Sequence, residues 1–133
     1  MRKNKKVYID EYESIYPITL VVANEAAKAK DLNKKYKWPD GLDILDSEIN
    51  DCNGCVIKCS KRSDNTKVLI VKINEINNKL DLYATAVHEA GHVVLTTYDH
   101  IGDNICANGG KQEPFCYYLE WVTICIYKTI SKK

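Results

Sequence analysis

The chain of 133 residues has the length of one domain, and its 45% hydrophobic and 28% charged residues are typical of a globular protein. Nineteen basic and eighteen acidic side chains leave a formal charge of +1, which excludes the basic excess of a nucleic-acid-binding domain. We therefore expect no nucleic-acid partner.

The basic start of the chain, MRKNKK, predicts a flexible segment over residues 1–15, followed by a single domain over residues 16–133. A secretory signal is not expected, because the next residues, VYIDEYESIY, carry three acids where an apolar region is required. The most apolar segment, residues 115–130, contains Glu120 and Lys128 and is too short to cross a membrane. We therefore expect a cytoplasmic protein without membrane contact, whose six cysteines are thiols.

Strand and helix patterns alternate in the first half of the chain. YPITLVVA (residues 16–23) is apolar and β-branched, which predicts a buried strand. NEAAKAKDLNKKYKW (residues 24–38) contains good helix formers and ends at PDG, which predicts a helix. The runs GCVIKCSK and KVLIVKINE, joined by RSDNT, predict a β-hairpin. Lys72, Asn74 and Glu75 are expected on its more solvent-exposed face.

Two helices are predicted in the second half. From about Asn78 the apolar residues follow a helical period, in a stripe made of Tyr83, Ala86, Val87, Ala90, Val94 and Tyr98. Gly91 lies inside this helix, where glycine costs about 1 kcal/mol relative to alanine, so we expect a packing reason for it. After the loop DHIGDNICANGGKQ, a last helix is predicted from EPFCYY onward. Its core stripe consists of Phe115, Leu119, Val122, Ile126 and Ile130.

The segment TAVHEAGHVV contains an HExxH pattern on the first of these helices. His88 and His92 are four residues apart and therefore lie on one helix face, where both imidazoles can bind one zinc ion. Glu89 lies beside them and can reach a metal-bound water, which is the arrangement of a metal-assisted hydrolase. Two surface histidines on an amphipathic helix remain the alternative.

A catalytic zinc site normally has a third protein ligand. The metzincin position, six residues after His92, is occupied by Tyr98, so that pattern fails. His100 lies past the apparent helix end. Downstream acids are the better candidates: Glu113 at the start of the last helix comes first and Glu120 second. Two nearer acids, Asp99 and Asp103, stay open.

The segments VHEAGHVV and EPFCYYLEW, separated by a loop of about twenty residues, resemble small single-domain gluzincin-type zinc metallopeptidase-like proteins of bacteriophages and prophages. The resemblance implies an α+β fold, a minimal zincin. Such a fold has a small antiparallel sheet of about three strands with one preceding helix, an HExxH helix and a C-terminal ligand-bearing helix. It also implies that His88, His92 and Glu113 bind one zinc ion and that Glu89 is the general base. Cys116 stands where the similar E-P-x-A-Y helix has alanine.

The reaction implied is hydrolysis of a peptide bond in a peptide or protein substrate, in the host cytoplasm if the protein is phage-encoded. Zinc lowers the pKa of bound water to about 7, and Glu89 would take the proton. Tyr117, one turn after Glu113, is the first candidate for a hydrogen-bond donor to the oxyanion. Tyr118 and His100 are the next candidates. An extended peptide could pair with the edge of one hairpin strand as an additional strand. The alternative function is a non-catalytic zinc-binding scaffold that binds a host or phage protein.

The run CNGCVIKC holds Cys52, Cys55 and Cys59, a rival site. A C-x2-C pair is half of a structural zinc site, and the remaining cysteines are dispersed singly. On a strand, Cys55 and Cys59 would be about 13 Å apart and could not bind one ion. The pattern favours a buried strand that carries thiols, while a structural metal or a redox pair at Cys52 and Cys55 stays open.

Overall fold

The computed structural model describes residues 5–50, 52–74, 76–103 and 112–133. The fold is α+β, as predicted. The strands are β1 (Ile9–Tyr12), β2 (Thr19–Ala23), β3 (Tyr36–Lys37), β4 (Gly54–Lys61) and β5 (Lys67–Ile73). The helices are α1 (Ala29–Leu32), α2 (Asp46–Ile49), α3 (Lys79–Ile101) and α4 (Gln112–Ile130). None of the helices in these ranges is long and apolar enough to cross a membrane.

The sheet is larger than predicted and is not purely antiparallel. Its five strands have the order β1-β2-β5-β4-β3, with β2 and β5 parallel and the other neighbours antiparallel. The predicted hairpin of β4 and β5 is confirmed and forms one side of the sheet. The prediction of about three antiparallel strands missed β1 and β3, because neither contains an apolar run of its own.

The N-terminal segment is part of the domain, although the sequence predicts a flexible stretch over residues 1–15. Four of its residues form β1 and pair with β2. The side chain of Asn24 accepts a hydrogen bond from the backbone N–H of Tyr8 at 3.1 Å and donates one to the carbonyl of Lys6 at 2.8 Å. The domain therefore begins before residue 16, and the first four residues of the predicted flexible segment lie outside the described part of the chain.

The helix predicted over residues 24–38 is wrong in extent. Only α1, a single turn, forms there, and the same stretch ends in β3, which pairs with β4. The Asn33 side chain exchanges two hydrogen bonds with the backbone of Ile44, at 2.7 and 2.8 Å. The buried Tyr36 donates its hydroxyl to Glu11 at 2.5 Å. These contacts with distant segments override the local helix propensity.

The two long helices begin and end close to the predicted positions. The Asn78 side chain caps α3 by accepting from the backbone N–H of Asp81 at 2.9 Å. Gly102 ends this helix with a φ of 72°, a left-handed conformation that glycine adopts without strain. α3 packs over β5 and β4, whereas α4 packs over β2 and β1 and beside α3. The other face of the sheet packs against α1, α2 and their loops.

Lys72 is fully buried, although the sequence predicts that it lies on a more solvent-exposed face. It lies on the sheet face opposite α3 and α4, and burial lowers its pKa to about 8. Its ammonium donates to the carbonyls of Glu25 and Ile73 and to the side chain of Asn74, at 3.3, 3.0 and 2.9 Å. These acceptors offset much of the desolvation of the charge and join the end of β5 to the segment that follows β2.

Thr129 links β1 to α4 and supplies a test of that docking. Its buried hydroxyl lies 2.7 Å from the Tyr12 hydroxyl and 2.8 Å from Asp10 Oδ2. We expect Thr129→Val to lower the free energy of unfolding by about 1–2 kcal/mol, because it removes both hydrogen bonds of this buried hydroxyl, while Asp10 keeps its bond from Lys132. Urea denaturation measures the change. Thr123→Val is the matched control, since among the described residues the Thr123 hydroxyl binds within its own helix, to Leu119. Equal losses in the two variants would contradict the docking.

Candidate metal centre

α3 presents His88 and His92 side by side on an exposed face. Their Nε2 atoms are 3.3 Å apart. Two imidazole nitrogens bound to a tetrahedral zinc ion at about 2.0–2.1 Å are themselves about 3.3 Å apart. The histidine pair therefore has the spacing that a shared zinc ion requires.

Glu89 lies on the adjacent face of α3 and is 4% exposed. Its Oε1 is 4.0 Å from His88 Nε2, while its Oε2 is buried without a hydrogen-bond partner among the described residues. Burial raises the pKa of this carboxyl group, and the two histidines partly oppose that shift. A buried carboxylate oxygen without a partner destabilises the fold, so this position calls for an explanation outside packing.

Gly54, the first residue of β4, makes room for the Glu89 side chain. A Cβ atom at this position would lie 3.0 Å from Glu89 Cγ and 3.2 Å from its Oε1. Sequence reasoning did not identify this role. The only signal was a glycine at the entrance of a predicted strand, which often marks close approach of another group.

A cavity of about 630 Å³ opens beside the histidine pair, between α3 and the start of β4. Residues 52–56 form one wall, and the face of α3 from Ala84 to Thr96 forms the other. His88, Glu89 and His92 all line it. The structure thus brings the three HExxH side chains to one water-accessible space.

Glu113 and Tyr117, the predicted third ligand and oxyanion donor, lie elsewhere. Both are exposed on α4 and do not line the cavity. α3 and α4 run antiparallel, with the hydroxyls of Thr97 and Tyr118 3.1 Å apart, so helix geometry puts Glu113 roughly 15 Å from His92 along the helix axes. α4 packs over β1 and β2, whereas the cavity is on the β4 side of α3. Both roles stay predictions.

The second-choice ligands do not line the cavity either. Glu120, Asp99 and Asp103 are exposed and absent from the cavity wall. Within the described residues, no group of three His, Cys, Asp or Glu side chains is placed to hold a metal ion. The histidine pair is therefore a partial site in this conformation.

The cysteine run is divided between the two faces of the sheet. Cys59 is buried on the face opposite α3, with its pKa raised to about 12 by burial, and Cys55 packs on that same face. These positions agree with the predicted thiol-bearing strand. Cys52 is exposed and lines the cavity beside the histidines. The sequence treats the cysteines as a rival site, but in the structure residues Cys52 and Cys55 both border the cavity of the histidine pair, Cys55 with its side chain packed on the opposite sheet face.

A pair of alanine variants tests whether Gly54 is required by Glu89. We expect Gly54→Ala to lower the free energy of unfolding of the metal-free protein by about 1–3 kcal/mol, because the added methyl group overlaps the buried side chain. Gly91→Ala is the control. The expected packing reason for Gly91 is wrong for the described residues, since apart from its own helix backbone none of their atoms lies within 4 Å of a Cβ there. That control should gain about 0.5–1 kcal/mol, and similar changes in both variants would contradict the argument.

Replacing Glu89 tests whether its carboxylate destabilises the fold. We expect Glu89→Met to raise the free energy of unfolding of the metal-free protein by about 1–2 kcal/mol, since an apolar chain of similar size removes the unpaired buried oxygen. Chemical denaturation at neutral pH measures it. Glu120→Met, at an exposed position of α4, should stay within about 0.5 kcal/mol of the wild type. A loss of stability in Glu89→Met would show that the carboxylate supports the fold.

No protein-family model matches this chain, and comparisons with curated proteins and with solved structures gave no significant match. Any function for the chain is therefore argued from its own residues and their geometry.

Proposed function

We propose that this protein is a zinc-dependent peptidase in which His88 and His92 bind the metal and Glu89 is the general base. The observation that carries the proposal is the buried Glu89 carboxylate, one oxygen of which has no hydrogen-bond partner in the described part of the chain, beside two imidazoles at zinc spacing. Stability does not account for such a group, whereas hydrolysis of a peptide bond requires a base at this place.

The donor set fits zinc. Two neutral imidazoles are common zinc ligands, and a carboxylate outside the coordination shell leaves a position open for water. Bound zinc would supply Lewis acidity, lowering the pKa of a bound water to about 7 and polarising the substrate carbonyl.

The chain's own residues supply the proton transfers. Glu89 Oε1, 4.0 Å from His88 Nε2, lies within reach of a water molecule next to the histidine pair. In the proposed reaction this carboxylate accepts the proton of the attacking water and then delivers it to the leaving amine. Gly54 serves this step by leaving space for the side chain against β4.

The edge of β4 supports a peptide as the substrate. β5 pairs with β4 along one side from Gly54 to Ser60, but β3 pairs with the other side only at Ser60 and Lys61. In the described structure the backbone of residues 54–59 therefore offers an edge next to the cavity. An extended peptide could add to it as a further strand and bring a carbonyl to the histidine pair.

A non-catalytic scaffold would use the same edge to hold a host or phage protein without cleaving it. The two functions differ in what they require of Glu89. A scaffold gains nothing from a buried, unpartnered carboxylate, which favours the peptidase.

Metal analysis of purified variants tests the site. We expect one zinc ion per chain in the wild type and in Glu89→Gln, and none in His92→Ala, because Glu89 lies outside the coordination shell. His100→Ala is the matched control and should keep its zinc, since His100 does not line the cavity. A wild-type protein that takes up no zinc when the metal is supplied would refute the proposal.

Cleavage of a diverse peptide library, followed by mass spectrometry, tests the activity. Zinc-loaded wild type should generate new peptide termini that zinc-loaded Glu89→Gln does not, because only the carboxylate can accept the proton. Identical product patterns in the two proteins would remove Glu89 from the mechanism. Binding of peptides without cleavage by either protein would favour the scaffold.

A further inference from the structure

Cys52 lies at the mouth of the cavity that contains the histidine pair. It is a free, exposed cysteine immediately before β4, in a bend outside the strand ladder. Residue Cys52 borders the cavity together with His88, Glu89 and His92. An exposed residue with a soft sulfur donor is therefore next to two imidazoles and a buried carboxylate oxygen that has no hydrogen-bond partner among the described residues.

The backbone of Cys52 is held in place from the core. The Asn74 side chain donates to the Cys52 carbonyl at 2.5 Å, and the Asn74 backbone N–H donates to the carbonyl of Asn53 at 2.8 Å. The buried Lys72 ammonium in turn binds the Asn74 side chain at 2.9 Å. These bonds fix the backbone beside the cavity and leave the thiol side chain free to rotate.

The neighbouring cysteine is not equivalent. Side chains alternate along β4, so Gly54 and Val56 face α3, whereas Cys55 faces the opposite side of the sheet. The Cys55 thiol donates to the carbonyl of Ile49 at 3.8 Å, away from the histidines. Of the C-x2-C pair, Cys55 is thus directed away from the histidines, which leaves Cys52 as the candidate.

The histidine pair needs a third ligand from the β4 side of α3. Glu113 and Glu120 are both on α4, which packs against the other flank of α3. Moving either acid to the pair would require displacing a helix that contributes Tyr118, Val122 and Ile126 to the core. Cys52, by contrast, is in an exposed bend that already borders the cavity, so its thiol can approach the pair without displacing a core element.

We propose that Cys52 is the third protein ligand of the metal held by His88 and His92, and that its thiol side chain closes over the pair when the metal binds. The inference rests on the proposed function, since it concerns the same site. The thiol loses its proton to solvent as the sulfur–metal bond forms. Two histidines and one cysteine are a ligand set that suits zinc and leave the fourth position for water.

Cobalt(II) substitution under reducing, oxygen-free conditions tests the proposal directly. Cobalt bound by a thiolate shows a sulfur-to-cobalt charge-transfer band in the near ultraviolet. The wild type should show this band, and Cys52→Ser should lose it. Zinc affinity in Cys52→Ser should fall by about 100-fold or more, because losing even an outer partner of a ligand costs roughly 10–100-fold.

Two variants serve as controls for thiol loss and for the rival ligand. Cys116→Ser removes an exposed thiol on α4 outside the cavity and should keep both the band and the affinity. Glu113→Gln should also keep both. A charge-transfer band that persists in Cys52→Ser, or loss of zinc in Glu113→Gln, would overturn the proposal.

The same experiment separates this inference from the proposed function. Cobalt bound by the histidines without a charge-transfer band would refute Cys52 ligation and leave the peptidase intact. No cobalt or zinc binding by the wild type would refute both. Cobalt that still shows the band in His92→Ala would reveal a cysteine site independent of the histidines and would also overturn the proposal.

Discussion

The site depends on one constraint, the close packing of α3 against the start of β4 around a buried carboxylate. Glu89 points inward from α3, and Gly54 provides the space that its side chain occupies. Because Glu89 is fixed in this way, His88 and His92 lie on the adjacent face of α3 and line the cavity. Among the described residues, Glu89 Oε2 is the buried side-chain oxygen that lacks a hydrogen-bond partner, whereas the buried Lys72 and Thr129 are hydrogen-bonded.

Both faces of the sheet contribute to this arrangement. On the side away from α3, the buried Lys72 binds carbonyls and Asn74, and Asn74 holds the backbone of Cys52 beside the cavity. The polar network on the sheet face away from α3 thereby positions Cys52 in the cavity wall beside α3. The edge of β4 next to that wall is available for an extended chain over residues 54–59 of the described structure. Together these features are the basis on which we propose a metal, a base and a peptide at this cavity.

The sequence predicts the elements whose apolar period is local. The β4–β5 hairpin, α3 and α4 all follow from patterns within one run of residues. β1 and β3 are not predictable in this way, since neither has an apolar run of its own and each is held by pairing, β1 with the next strand and β3 with the distant β4. The HExxH pattern likewise predicts that the side chains of His88, Glu89 and His92 lie close together. The role of Gly54 and the side of α3 on which α4 packs depend on tertiary contacts, which the sequence does not reveal. Residue spacing alone therefore suggests Glu113 as a ligand and gives no reason to connect Cys52 with the histidines.

X-ray absorption at the zinc edge of the loaded protein tests the central claim most directly, because it reports the ligand atoms themselves. The account predicts two imidazole nitrogens at about 2.0–2.1 Å and one sulfur at about 2.3 Å, with a light atom in the remaining position. A coordination shell without imidazole scattering would contradict it, since zinc would then be bound away from His88 and His92.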